Sequence, residues 1–301
     1  MCRLIFTKHP SVTRLIHLLV VVITSVFTQA QSLDSIEPIN KKRLNGLIIG
    51  SSIAYTGAMI GLSQVWYSNY DKESFHFFND ASEWKQVDKA GHFYSAFQLS
   101  YTASKALQWS NVPQKKSEKI GSLAGFLVMS SIEVLDGFSA GYGASVSDLA
   151  ANSVGSAFYL GQSLIWKEIR IYPKFSFHQT EYASLRPDVL GAGISEILKD
   201  YNGQTYWLST DVDKFVRFPK WINLAVGYGA EEMIYANDLQ NIEAGYDPHR
   251  QFYISIDFDL TAIQTQSKVV KGLLFFANMI KLPSPTIGFS KHGTKAYAFY
   301  Y

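Results

Sequence analysis

Residues 88–109 read DKAGHFYSAFQLSYTASKALQW. Apolar and aromatic side chains recur there every three or four residues, which is the helical period. Asn111-Val112-Pro113 closes the run, because proline cannot continue the hydrogen-bond ladder. The helix nevertheless begins with Asp88, Lys89 and His92. Two later stretches repeat the conflict. SSIEVLDGF at 130–138 sets Glu133 and Asp136 in an apolar run, and SAGYGASVSDLAANSVGSAFYLG at 139–161 does the same with Asp148 and Asn152. Burying such groups costs several kcal/mol each unless they are paired, roughly, so their placement calls for partners. Asp88 and His92 are four apart on one helix and share a face, and Asp148 and Asn152 repeat that spacing. With these faces inward, Asp88, Lys89, His92, Glu133, Asp136, Asp148 and Asn152 form a structural polar core.

The chain around this stretch has 301 residues, of which 47% are apolar, 17% charged and 15% aromatic. Few charges with many aromatic rings suit a protein at or near a membrane. The net charge of +2, without a basic patch interleaved with aromatics, argues against nucleic-acid binding.

Residues 1–30 read as a secretory signal peptide. Arg3, Lys8 and Arg14 form a positive start, Leu15 to Phe27 an apolar run, and Thr28-Gln29-Ala30 a cleavage site. Removing this segment would bring the net charge to about −1. The one cysteine, Cys2, precedes the apolar run, so it is not placed as a lipidated cysteine would be. The expected address is export to the periplasm or outer membrane.

Residues 31–43 are a polar leader with Pro38 and Lys41-Lys42-Arg43. Leu44 to Tyr70 carries no charge and has Gly46, Gly50, Gly57 and Gly61 at spacings of four and seven. Small residues four apart allow close helix packing in membranes. The length suits a span of about 20 residues, while Ser51, Ser52, Thr56, Ser63 and Gln64 favour a buried helix in a bundle. A helix over Val87–Trp109 follows, then one from about Ser117 to Gly137. A fourth runs to about Trp166, capped by Ser145 or Ser147, with Ser145 and Asp148 spaced as in a capping box.

Beyond Trp166 the period falls to two. In QFYISIDFDL, Phe252, Ile254, Ile256, Phe258 and Leu260 point one way, and Gln251, Tyr253, Ser255, Asp257 and Asp259 the other. Asn202-Gly203 is a hairpin signal, and Ser267 to Ile280 reads as a further helix. The aromatic end, Phe299-Tyr300-Tyr301, suits an outer-membrane barrel, but the strands are few and the helix at Ser267 interrupts them. The expected fold class is α+β: a bundle of about four helices at 44–168, then a β-rich unit with one further helix at 169–301.

Asp88, His92, Glu133 and Asp148 are the candidate catalytic residues. His92 would act as general base beside an orienting carboxylate. His92, Glu133, Asp136 and Asp148 are the candidate metal ligands, able to hold a divalent cation. No standard metal, phosphate-loop, dinucleotide or nucleophile-elbow motif accompanies them, so no nucleotide or other cofactor is expected. The order DKAGHF, E-x-x-D-G, S-x-x-D-L-A-A-N-x-x-G resembles an uncharacterised bacterial envelope family typified by the YfiM lipoprotein. It is more distantly similar to VanZ-like membrane proteins. The longer architecture looks like members with a Bacteroidetes-type β-rich C-terminal extension. The resemblance covers roughly residues 88–161 and implies an envelope address and a polar core, with no settled reaction. The chain is therefore expected to be a membrane-associated envelope protein with a structural or binding role. The alternative is a membrane-proximal hydrolase or metal-assisted enzyme on lipid-linked or cell-wall substrate. The expected partner is a membrane or envelope component. Sequence leaves the oligomeric state open.

Overall fold

The computed structural model describes residues 38–68 and 70–300, so the signal peptide expected at 1–30 lies outside the described residues. Among the described residues four long helices come first: α1 (Lys41–Trp66), α2 (Val87–Trp109), α3 (Gln114–Asp136) and α4 (Val146–Trp166). Six strands follow: β1 (Ile171–Phe177), β2 (Gln204–Thr210), β3 (Ile222–Glu231), β4 (His249–Phe258), β5 (Ser284–Ser290) and β6 (Gly293–Tyr300). Helix α5 (Lys268–Ala277) lies between β4 and β5. The α+β class and its helix-then-sheet order are as the sequence indicates. Two compact units form, one from residues 38–79 and 99–156, the other from 80–98 and 157–300. Helices α2 and α4 each contribute to both.

In the first unit, Leu44, Tyr55 and Met59 of α1 pack with Leu107, Val112, Ile120, Ala124 and Leu135. The Tyr55 hydroxyl donates to Ser131 Oγ at 2.8 Å, so that polar group is not stranded by burial. The α1 glycines do not form the packing face: a Cβ at Gly46, Gly50, Gly57 or Gly61 would meet nothing within 4 Å among the described residues. Close approach occurs elsewhere. A Cβ at Gly121 would lie 2.7 Å from Ser100 O and Ser104 N, which lets α3 press onto α2. Ser100 Oγ donates to Ser156 Oγ at 3.2 Å and Ser122 Oγ to Ser156 O at 3.0 Å, joining α2, α3 and α4 by hydroxyls. Small residues and side-chain hydroxyls at helix contacts are the packing devices of membrane bundles.

In the second unit, β1 to β6 form one antiparallel sheet in chain order. The register sets Pro173, Leu208, Val226, Ile254, Ile287 and Ala296 side by side across all six strands. The neighbouring row is Lys174, Trp207, Gly227, Tyr253, Gly288 and Lys295. Alternation along β4 is as read from the sequence, but the buried face is the polar one. Ser255 and Asp257 are 3% and 0% exposed, whereas Phe252, Ile254 and Val226 are 54%, 53% and 55% exposed.

The sheet curls around its polar face. Tyr300 on β6 comes within 3.1 Å of Thr205 Oγ1 on β2. Beside β1, Phe175 N donates to Met279 O at 3.1 Å and Lys281 N to Phe175 O at 2.9 Å. Lys174 and Asp257 form a 2.7 Å ion pair inside, and Ser209 Oγ donates to the same Asp257 oxygen at 2.6 Å. Lys174 Nζ also donates to Phe258 O and Asn278 Oδ1, which leaves no proton of the ammonium unused. Lys281 Nζ lies 4.5 Å over the Trp207 ring and donates to Ser284 Oγ. Burial pushes its pKa down to about 8, partly opposed by Asp257.

Asn202-Gly203 does not make a two-residue hairpin. Residues 178–203 join β1 to β2 through short helices at Tyr182–Leu185, Pro187–Leu190 and Glu196–Lys199. Asn202 is held instead by bonds to Asp200 Oδ1 and Met233 O, each 2.8 Å, and by accepting from Met233 N at 2.8 Å. Tertiary partners have overridden the local turn signal.

Two predictions follow from the buried charges. Lys174→Met leaves Asp257 buried without its main partner, at an expected loss of about 3–5 kcal/mol. Denaturant titration would show it, with Lys174→Met/Asp257→Leu recovering part of the loss. Lys281 carries a folded pKa below its unfolded value of 10.5, so between pH 8 and 10.5 the unfolded chain binds more protons and stability rises with pH. The melting temperature of the native chain relative to Lys281→Met should therefore climb from pH 7 to pH 10. A flat difference contradicts a buried, unfavourably charged lysine.

Candidate functional site

The seven polar residues fall three in the second unit and four in the first. Asp88, Lys89 and His92 stand on the first turns of α2. Immediately before them, Trp84, Lys85 and Gln86 all have positive φ, at 47°, 51° and 64°. That conformation is uncommon for residues other than glycine and persists where the surroundings enforce it. Here Trp84 N donates to Ala236 O at 2.9 Å, and Lys85 Nζ pairs with Asp238 at 2.5 Å. Tyr228 Oη donates to Lys85 O, and Arg250 to Gln86 Oε1. The start of α2 is thus fixed by side chains far away in sequence. The sequence carries no sign of the left-handed run, since none of the three residues is glycine.

Asp88 Oδ1 accepts from Tyr201 Oη at 3.0 Å, and Lys89 Nζ lies 3.0 Å from Asp88 Oδ2 and 2.7 Å from Asp80. His92 Nε2 is 3.7 Å from Asp88 Oδ1, the same-face contact expected for a spacing of four. Glu83 beside them has a pKa raised mainly by burial and next by Asp80, with Lys89 opposing. An imidazole beside a carboxylate that tyrosine and lysine hold in place is an orienting arrangement for a general base.

In the first unit, Glu133, Asp148 and Asn152 are buried. Glu133 Oε2 accepts from Ser145 N at 3.0 Å, and Ser145 Oγ accepts from Asp148 N at 3.0 Å. Ser145 is therefore the cap of α4, as its spacing suggests. The reciprocal half of the capping box is taken over by Glu133, twelve residues upstream on α3. An anionic carboxylate next to a helix N-terminus is also favoured by the helix dipole. Tyr67 Oη donates to Asp136 Oδ1 at 2.5 Å. Burial first, then Asp136, raises the Tyr67 pKa above its ordinary value.

The loop between α3 and α4 is shaped by aromatic cover. A Cβ at Gly137 or Gly141 would lie 2.3 Å from the rings of Phe75 and Tyr70. Phe77–Phe78 pairs in parallel with Ala144–Ser145, which brings Ser145 to Glu133 in one fixed register. The polar, aromatic stretch 70–85 supplies this cover through Tyr70, Phe75 and Phe77–Phe78.

Residues 75–162 match the model of a family described as predicted periplasmic lipoprotein (DUF2279). The match is less than half of the chain and contains all seven polar residues. No curated protein and no solved structure matches. The chain is an exported protein of the periplasmic envelope.

Ser145→Ala should cost about 1 kcal/mol as a lost cap. Glu133→Ala should cost about 1–3 kcal/mol by leaving a buried Ser145 N–H unmatched, while Glu133→Gln keeps an acceptor and loses less. Thermal melts of the three variants decide this, and equal losses for Ala and Gln at 133 would contradict the acceptor role.

Proposed function

We propose that the chain is a membrane-associated envelope protein with a structural or binding role, and that the outer face of its sheet contacts lipid. The observation that carries this is the inverted sheet: polar residues sealed inside, apolar residues exposed outside. Polar-in, apolar-out alternation is the pattern of strands whose outer solvent is hydrocarbon. In water each fully exposed Phe, Ile or Leu forgoes about 1.5–3 kcal/mol of burial, and contiguous apolar patches of this kind mark interaction surfaces.

Charge supports lipid as the occupant. The connections 211–221 and 259–283 leave the same end of the antiparallel sheet. They carry Lys214, Arg217, Lys220, Lys268 and Lys271 among exposed Phe215, Phe218, Trp221, Leu273 and Phe276. Helix α5 has no buried residue. Basic residues beside an anionic lipid surface are worth about 1 kcal/mol each, and aromatic rings favour the interface. Arg170 steadies the first loop, lying 5.2 Å over Trp166 and 5.4 Å over Phe215.

Helix α1 supports membrane association separately. It is long and apolar enough to span a bilayer, and only 11% of its apolar window is buried. A core helix of a soluble bundle would be mostly covered. The likeness to YfiM-type and VanZ-like proteins, and to Bacteroidetes-type extended members, belongs to the same reading. The Asp88–His92 contact favours the second reading, a membrane-proximal hydrolase or metal-assisted enzyme on lipid-linked or cell-wall substrate. A hydrolysis assay with His92→Ala addresses that reading.

The test of the main proposal places single cysteines, in a Cys2→Ser chain, at Ile53, Ile254, Phe276 and Ile194. Each carries an environment-sensitive fluorophore in vesicles containing phosphatidylglycerol. Emission at 254 and 276 should shift to the blue and be quenched by brominated lipid, while 194, at the other end of the sheet, stays aqueous. Aqueous spectra at both 254 and 276 overturn the sheet contact even if 53 is lipid-bound. Lipid-independent blue shifts that grow with protein concentration would assign the face to a second copy instead.

A further inference from the structure

At the end of the sheet opposite the basic connections, three segments bring together Glu232, His249 and His292. Glu232 follows β3, His249 opens β4, and His292 lies in the turn between β5 and β6. One possible ligand atom from each lies within 4.8 Å of the others. We propose that these three residues form a binding site for a borderline divalent cation of the zinc type, of the two-histidine, one-carboxylate kind.

The chemistry of the set favours such a cation. Imidazole nitrogen with one carboxylate suits zinc and its neighbours better than magnesium or calcium, which take all-oxygen shells. Three protein ligands leave one position open, as in sites where a water or substrate completes the tetrahedron.

Two of the three are held as ligands usually are. His249 is buried, and its Nδ1 lies 2.9 Å from Asp247 O. A carbonyl only accepts, so Nδ1 carries the proton and Nε2 keeps the lone pair. A backbone carbonyl on the other nitrogen, fixing the tautomer, is one of the usual supports of a ligating histidine. Glu232 Oε2 accepts from Asp247 N at 2.9 Å, which holds the carboxylate beside the His249 ring; its Oε1 lies 3.9 Å from the protonated Nδ1, so a cation on Nε2 is reached by a turn of the Glu232 side chain. Glu232 also has a φ of 64°, a conformation that a non-glycine residue holds only under constraint.

The third ligand is the adjustable one. His292 is exposed in a tight turn, its ring 4.5 Å from that of His249 and perpendicular to it. Zinc bonds of about 2.0–2.1 Å imply ligand atoms roughly 3.4 Å apart in a tetrahedron. Turns of the exposed His292 side chain and the half-buried Glu232 side chain supply the closure. Asp247, whose Oδ2 is 3.8 Å from His292 Nε2, is already paired with Lys291 and stays outside the set. The site lies wholly within one unit and involves none of the seven polar residues of the helical stretch. It stands or falls independently of the lipid contact.

Calorimetric titration of the full chain with zinc chloride tests the proposal, with cobalt substitution as a second readout. One zinc per chain is expected, and cobalt should give the intense visible bands of a four-coordinate site. His292→Gln lies in an exposed turn, so it should leave the metal-free melting temperature unchanged and weaken binding at least tenfold. Glu232→Gln should weaken it as well. His92→Gln should bind as the native chain does. The proposal is overturned if the native chain takes up no zinc, or if His292→Gln and Glu232→Gln both bind normally. It is equally overturned if His92→Gln removes binding that His292→Gln retains.

Discussion

A lysine and an aspartate meet inside the sheet, and much of the second unit is arranged so that they can. Lys174 and Asp257 lie 2.7 Å apart, 1% and 0% exposed. Bringing two charges out of water costs several kcal/mol per ion, roughly, and the attraction repays it only if the remaining hydrogen-bonding capacity is met. Phe258 O, Asn278 and Ser209 meet it here. Those partners come from β2, β4 and the end of α5. The curl that collects them gives the sheet a polar interior, and with side chains alternating along each strand, the apolar ones must then face out.

The helical stretch solves a similar problem on a smaller scale. Its close contacts run through Ser100, Gly121, Ser122 and Ser156, where hydroxyls bond across helices. Its loop is set by Glu133, which does for Ser145 what a residue within α4 would ordinarily do. A buried carboxylate that satisfies a backbone N–H, as Glu133 does for Ser145, stabilises one loop conformation over others. That accounts structurally for Glu133 and for Ser145, whose Oγ takes the N–H of Asp148, while Asp88 and His92 retain the geometry of an orienting pair.

Sequence legibility followed the range of the interactions. Helix α2 could be read to the residue, because its period and the proline after it are local signals. The Ser145 cap was legible for the same reason. What depended on distant partners was not. Asn202-Gly203 looks like a hairpin turn until Met233 claims Asn202. The left-handed run at Trp84–Gln86 has no glycine to announce it and exists because Tyr228, Asp238 and Arg250 hold it. The grouping of Glu232, His249 and His292 required the strand register, since the three are far apart in sequence. Of the candidate core, pairings within a helix could be anticipated from spacing, whereas the bond from Glu133 to Ser145 could not.

The alternation in β4 shows a deeper limit. A period of two tells that the faces differ, but not which one is inside, because that depends on the solvent the outer face meets. The interior answers it here through volume. Along the row Lys174, Trp207, Gly227, Tyr253, Gly288, Lys295, large rings alternate with glycine. A Cβ at Gly227 would come within 2.6 Å of the Trp207 ring, and one at Gly288 within 3.0 Å of Tyr253. Such alternation of large and small residues fills the taper of a small curled sheet. Both glycines are thus required on the polar face and nowhere on the apolar one. Read together with Trp207 and Tyr253, they mark the inside of the sheet in a way that hydrophobicity, taken alone, reports backwards.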